Sequence, residues 1–464
     1  MCGLSAPPPA AYGSITRRLF SLAAPIIGFN VLSVFMLGVD AALCGRLPEA
    51  PIALAVLGFA SQIAFLLMIP MMGLVIGTIA LVARAHGGGA HERVNELLVQ
   101  STQLTVILGV GIGGAGALLA RPLLQALGAS GEVEALGVAY LRLLMLGAPF
   151  TYLALLYAGV LRGVGNTRIP FLCALGAIVL NAVLSYTLVL GNLGAPQLGV
   201  VGSALGAIIA QLASMAALTA VLRSGWIANL RLSLRPRPLD RRLAVELFRV
   251  GWPAAAEMLV VTVGLLAALG MLGRIDQLSV AAHSVGMRVQ ALAFLPGVGV
   301  AQATAALIGQ ALGAGDAERA RRIARVSMAL CAAIMTGLAL ATVGAAAPLI
   351  RIFDVPDGTP LADYAIEWTR LLGASMLPTA ISLALMGVLQ GSGATRTGLL
   401  INAWSTVFQI PLAGGLAFGL DLGPTGVWLS VPITGLVRSA ATYVAYRRGV
   451  WAVTGVALGP QGDR

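Results

Sequence analysis

A chain of 464 residues that is 58% hydrophobic and 10% charged, with mean hydropathy +0.92, is too apolar for a water-soluble globule. The formal net charge of +11 rests on 29 basic residues, all arginine, a balance that would suit a nucleic-acid binder if it were gathered on one surface. It is instead dispersed between long apolar runs, which excludes that reading and points to a multi-pass membrane protein with no nucleic-acid partner.

Residues 1–18, MCGLSAPPPAAYGSITRR, read as a short Pro/Ala-rich tail ending in Arg17-Arg18. The apolar run behind it is too long for a signal-peptide core and lacks a cleavage-like end, so it reads as a retained first span. A helix crosses the hydrocarbon layer with about 20 mostly apolar residues. Runs of that kind fall near 19–42, 55–83, 97–120, 136–161, 169–191, 199–222, 247–272, 281–311, 323–350, 364–389, 397–419 and 426–447. The expected fold is therefore all-α, with twelve spans. The division expected is a tail 1–18, an N-terminal six-helix bundle 19–222, a linker 223–246 rich in Arg and Pro, a C-terminal bundle 247–448 and a tail 449–464.

The first span holds one acid, Asp40, about 30 Å along the helix from Arg18. A carboxylate at membrane depth is costly unless it faces protein or water. Two readings compete: a helix-end carboxylate reaching the interface near Arg46, or a buried acid that gains and loses a proton as it works. Pro25, early in the same helix, removes a backbone donor and permits a bend. Gln62 in the second span is a polar cavity candidate.

In the third span Gly111, Gly113, Gly114 and Gly116 imitate a dinucleotide-binding fingerprint, but no strand precedes them and the segment is apolar throughout. Small residues that let helices approach closely explain the run better. The fifth and sixth spans carry the polar residues Asn181, Ser185 and Ser203. Glu257 follows Pro253 by one turn, and it reads either as a pair for Arg249 at the mouth or as a cavity acid. Arg288 lies about two turns inside the eighth span and Gln290 just beyond it, both cavity candidates, the arginine best explained as a structural or gating partner. Neither the four scattered cysteines nor His86, His91 and His283 have metal-like or disulfide-like spacing. No metal site and no cofactor are expected, and no paired acids, His cluster or Ser/Lys dyad at membrane depth suggests an enzyme.

Two further patterns organise the chain. The arginines cluster in alternate loops, among them Arg84, Arg93, the group from Arg223 to Arg249, the group from Arg319 to Arg325, and Arg447-Arg448, while the opposite loops carry Glu132, Glu134, Asp354, Asp357 and Asp363. By the positive-inside rule both termini are cytoplasmic. The second pattern is an internal repeat at an offset of 228, or 226 in part. Pro25, Gly45-Arg46, Gly58 and Gln62 recur as Pro253, Gly273-Arg274, Gly286 and Gln290, and LRGVGNTR (Leu161 to Arg168) recurs as LQGSGATR (Leu389 to Arg396). Six spans per copy give both copies the same orientation, as parallel repeats. Asp40 is matched by Ala268, so only one copy carries the acid.

Six-plus-six helices, the early proline of the first and seventh spans, the loop LRGVGNTRIP and the run FLPGVGVAQATAALIGQALGAGDAERARR together resemble the multidrug and toxic compound extrusion (MATE) transporters, in particular the bacterial DinF-like branch. The resemblance covers roughly residues 15–450. It implies a secondary antiporter of the cell (inner) membrane, expected as a monomer, that exports cationic or amphipathic organic compounds in exchange for H⁺ or Na⁺. It also implies an aspartate in the N-terminal bundle at the place of Asp40. Family members often follow the helix 5 asparagine with an aspartate four residues on, whereas here Asn181 is followed by Ser185. A sodium site wants several oxygens and usually more than one carboxylate, so protons are the expected coupling ion. The alternatives are a sodium-coupled exporter of the same fold and a lipid-linked precursor flippase.

Overall fold

The computed structural model describes residues 12–227, 230–233, 238–353, 355–356 and 358–452. Most of both tails, parts of the linker, and Asp354 and Asp357 lie outside the described residues. Among those described there is no strand. The α-helices are α1 (Tyr12–Cys44), α2 (Ala50–Gly87), α3 (His91–Leu118), α4 (Ala120–Ala126), α5 (Gly131–Leu146), α6 (Ala148–Gly163), α7 (Arg168–Leu190), α8 (Gly199–Ser224) and α9 (Arg241–Ile275). They continue as α10 (Gln277–Gly313), α11 (Ala317–Gly344), α12 (Ala346–Arg351), α13 (Pro360–Ser392), α14 (Thr395–Gly414) and α15 (Gly423–Arg447).

Ten of these helices are long and apolar enough to cross a membrane, or eleven if the bent pair α5–α6 is one span. Two of the expected spans depart from a straight, uniformly apolar helix. The run 136–161 is not one straight helix: α5 and α6 meet at 45°, because Pro149 has no N–H to donate back and its ring crowds the preceding turn. The run 426–447 is a helix, α15, but it is not apolar enough to be among those ten or eleven. Thr425, Ser430, Pro432, Thr434, Arg438, Ser439 and Thr442 dilute it.

The repeat has a backbone signature. Gly165 and Gly393, the second glycines of LRGVGNTR and LQGSGATR, adopt φ of 89° and 79°, and Gly89 and Gly315 both adopt 73°. Each ends a helix in the left-handed region, which only glycine enters without a Cβ penalty. The matched loops thus fold alike.

Two compact units emerge, one formed by Met1–Ile27 with Leu259–Arg464 and the other by Gly28–Met258. Their borders fall inside α1, just after Pro25, and inside α9, shortly after Pro253, rather than in the segment 223–246. Packing explains this. In the first unit, Ile15, Leu19, Leu22, Ala23 and Ile26 of α1 join one core with Val300 and Leu307 of α10, and Arg18 donates to Gln310 Oε1 at 3.2 Å. The same core holds Trp368 and Trp428, and α13 packs against α10, α11 and α15 at its centre.

In the second unit the first half of α9 lies directly on α2. A Cβ at Gly73 would come within 2.6 Å of Gly251 O, and one at Gly77 within 2.8 Å of Leu247 O, so backbones touch where glycines meet. Arg93 of α3 pairs with Glu246 at 2.8 Å. Two cores fill this unit, one around Leu97, Leu98, Leu156 and Leu161 and one around Leu43, Val56, Leu124 and Leu141. The glycines of the third span serve packing: a Cβ at Gly113 would meet Met145 O at 2.5 Å, while Gly111 and Gly114 face open space.

The linker is clasped to α3. Gln100 Nε2 donates to Pro238 O at 3.0 Å and its Oε1 accepts from Asp240 N at 3.1 Å, while Asn95 Oδ1 accepts from Arg231 N at 2.9 Å. Each such bond contributes about 1 kcal/mol net. Gln100→Leu should therefore leave the helices inserted but speed limited tryptic cleavage at Arg231 and Arg241 several-fold, read by gel; unchanged cleavage would show that the clasp does not hold the linker.

Candidate functional site

Asp40 stands four residues before the end of α1, on the part of that helix that belongs to the second unit. Ser185 Oγ donates to Asp40 Oδ1 at 2.9 Å, and the Asn181 side chain also hydrogen-bonds to this carboxylate. Ser185 and Asn181 themselves lie 3.4 Å apart, Oγ to Oδ1. A spacing of four puts both on one face of α7, and both are buried. The sequence places the acid on α1 and the polar pair on α7; the fold brings them together.

Ser203 is buried on α8, but its partner is different. It bonds to the hydroxyl of Tyr140 on α5, a residue that sequence reading passed over. Tyr140 and Cys44 are both close enough to Asp40 to feel its charge. Tyr140 had a signal available: the repeat pairs it with Trp368, a polar-tipped ring against an indole. Glycine lets α8 come close, because a Cβ at Gly206 would sit 3.3 Å from Ser185 Oγ and one at Gly202 2.6 Å from Leu188 O. The site is therefore built from one residue of α1, two of α7, and the Tyr140–Ser203 pair behind them.

In the other copy the acid and its hydroxyl partner are lost, while Asn181 is matched by another amide, Gln409. Ala268 replaces the acid, Ala413 replaces Ser185, and both are buried. Trp368 replaces Tyr140 and stacks against Trp428 at 5.9 Å and His283 at 5.1 Å between ring centroids. One copy of the repeat carries a hydrogen-bonded carboxylate and the other an aromatic core.

The remaining candidates lie elsewhere in the chain. Glu257 lies on the first half of α9, half-buried. Gln62 is exposed on α2. Arg288 belongs to the other unit, and its guanidinium lies 5.9 Å from the centroid of the Phe353 ring. Gln290 is half-buried, with its Oε1 unpartnered among the described residues. Pro25 is inside α1, which continues through it as one helix. Among the described residues no group of three or more His, Cys, Asp or Glu is arranged to hold a metal ion, and Cys44, Cys173 and Cys331 are free thiols.

The family model MatE matches the chain twice, over residues 25–187 and 253–413, and the two matches begin at the paired prolines. The chain is 26% identical over 441 residues to a probable multidrug resistance protein NorM of Thermotoga maritima, covering 94% of this chain and 93% of that one. It is 27% identical over 473 residues to the multidrug resistance protein PmpM of Pseudomonas aeruginosa, covering 92% of each. Among solved structures, a MATE protein in its bent conformation superposes with a TM-score of 0.87 at 21% identity, over 96% of this chain and 99% of that one. A variant of the Vibrio cholerae MATE transporter VcmN gives 0.87 at 23%, over 95% and 98%. The fold is the MATE fold, and a double match across most of the length leaves one conclusion: this chain belongs to the MatE family, and is a multi-pass membrane transporter rather than an enzyme.

Proposed function

We propose that the protein exports cationic or amphipathic organic compounds of the multidrug type in exchange for protons, by alternating access, with Asp40 as the coupling residue. The observation that carries this reading is a single carboxylate on a membrane-length helix, held by Ser185 at 2.9 Å and by Asn181. Relatives named multidrug resistance proteins support the substrate class. The arginine-rich loops face the cytoplasm in this reading, and both termini with them.

Two neutral donors and one acid suit a proton better than sodium, which wants several oxygens and usually a second carboxylate. Protonation from outside removes the charge of Asp40 and lets α1 bend at Pro25, close to where the helix passes from one compact unit to the other. Release of substrate outward follows. Deprotonation toward the cytoplasm restores the straight helix and the binding state.

The decisive experiment is efflux from proteoliposomes with proton and sodium gradients imposed separately. Efflux driven by the pH gradient alone is expected; efflux driven only by sodium at constant pH would replace this reading with the sodium-coupled one. A second measurement isolates the hydroxyl. A hydrogen bond to a charged group is worth about 1.5–3 kcal/mol, so Ser185→Ala should slow proton-driven efflux about tenfold or more while insertion stays normal. Wild-type initial rates in that variant would remove Ser185 from the coupling site.

A further inference from the structure

We propose that a groove between α14 and α15 is a site for one anionic phospholipid, whose acyl chain lies along the groove and whose phosphate pairs with Arg448. The groove encloses about 340 Å³. Leu400 and Trp404 of α14 form one wall, Val444 of α15 the other, and Ala441 and Ala445 leave the floor open by contributing only methyl groups. This floor spans a full turn of α15, and Arg448 stands about one turn beyond Ala445, at the helix end and at the mouth of the same groove.

The apolar walls are exposed: Leu400 is 69% exposed and Trp404 55%. On a transporter helix such side chains meet acyl chains rather than water. The chain adds one more apolar side chain beside this mouth. Gly449 turns back with φ of 71°, which brings Val450 into the lining, and Trp451 fixes the turn by donating its indole N–H to Tyr446 O at 3.1 Å.

Charge then selects the headgroup. The neighbouring Arg447 is engaged, donating to the Tyr443 hydroxyl at 3.4 Å with its guanidinium 6.0 Å from the centroid of that ring. Arg448 is exposed, and among the described residues no acid pairs with it. A cation at the rim of an apolar groove between two helices of a membrane protein is matched by a lipid phosphate, and each arginine near an anionic surface favours it over a neutral one. The zwitterionic lipids offer the same chain without the net charge, so preference between the two classes is the property at issue.

Trp404 reports occupancy from inside the groove. The protein, in nanodiscs, would be titrated with brominated phosphatidylglycerol or brominated phosphatidylcholine, and the Trp404 signal taken as the difference between wild type and Trp404→Phe. Phosphatidylglycerol is expected to reach half-quenching at about a fivefold lower mole fraction, a comparison that needs no further variant. Arg448→Gln should abolish that preference while leaving quenching by phosphatidylcholine unchanged, and Arg447→Gln should retain it. Equal quenching by both lipids, a preference that survives Arg448→Gln, or an equal loss in Arg447→Gln would each overturn the site.

Discussion

Asp40→Asn, inserted at the wild-type level, is expected to bring pH-gradient-driven drug efflux in proteoliposomes down to the protein-free background. Asparagine keeps the size of the side chain and still accepts from Ser185, so the local geometry around the 2.9 Å bond is preserved. What it loses is ionisation. A charge at membrane depth costs about 2.5–3.5 kcal/mol on insertion scales, and switching it on and off shifts a two-state equilibrium by about a hundredfold. No other carboxylate stands at the corresponding place in the second copy, where Ala268 is buried in a hydrophobic core. A variant that cannot change charge should hold one conformation, binding substrate without moving it uphill. Efflux at the wild-type rate would dismiss Asp40 as the coupling residue. A variant that fails only because it is absent from the membrane is recognised by quantifying the reconstituted protein.

The second large effect concerns stability, and it separates two glycines that the sequence presents as equals. Gly163 and Gly391 occupy matched positions in LRGVGNTR and LQGSGATR. A Cβ at Gly163 would stand 3.3 Å from Ile79 O and from Val82 Cγ1, a contact that small shifts relieve. A Cβ at Gly391 would collide with the carbonyl and Cα of Ala305. The repeat supplies the reason, since Ala305 is the counterpart of Ile79: with alanine there, α10 and α13 approach until their backbones touch. Gly391→Ala should cost about 3 kcal/mol or more through forced overpacking, and Gly163→Ala less than about 1 kcal/mol. Thermal unfolding in detergent, followed by size exclusion, should show a large drop in Tm for the first and a small one for the second. Equal Tm values for the two variants would contradict the packing described here.

Much of the fold is legible in the chain because the membrane imposes a single strong rule. Every backbone polar group must be satisfied within the layer, so apolar length alone marks helices. The places of the long helices, the pairing of the two copies and the loops closed by Gly165 and Gly393 all follow from that rule and from glycine's access to the left-handed region. Composition was less informative where a helix is mixed, as in α15, or broken, as at Pro149. The acid of the site was legible for the same reason as the helices: Asp40 is conspicuous in an apolar run. Its surroundings were less so. Tyr140 sits on another helix far along the chain, and a tyrosine in an apolar run carries no mark of what its hydroxyl will meet.

Hydropathy, spacing and residue identity are local properties, and they suffice for the class of the protein, the duplication, and which copy holds the carboxylate. Partnership is not local. That Ser203 answers to Tyr140, while Ser185 and Asn181 answer to Asp40, emerges from the folded chain alone. So does the way each unit takes the first half of a proline-containing helix from across the linker's apparent border. Both are consequences of close packing: which backbones touch, and therefore which side chains meet, depends on glycines and alanines facing one another across helices that are far apart in the chain.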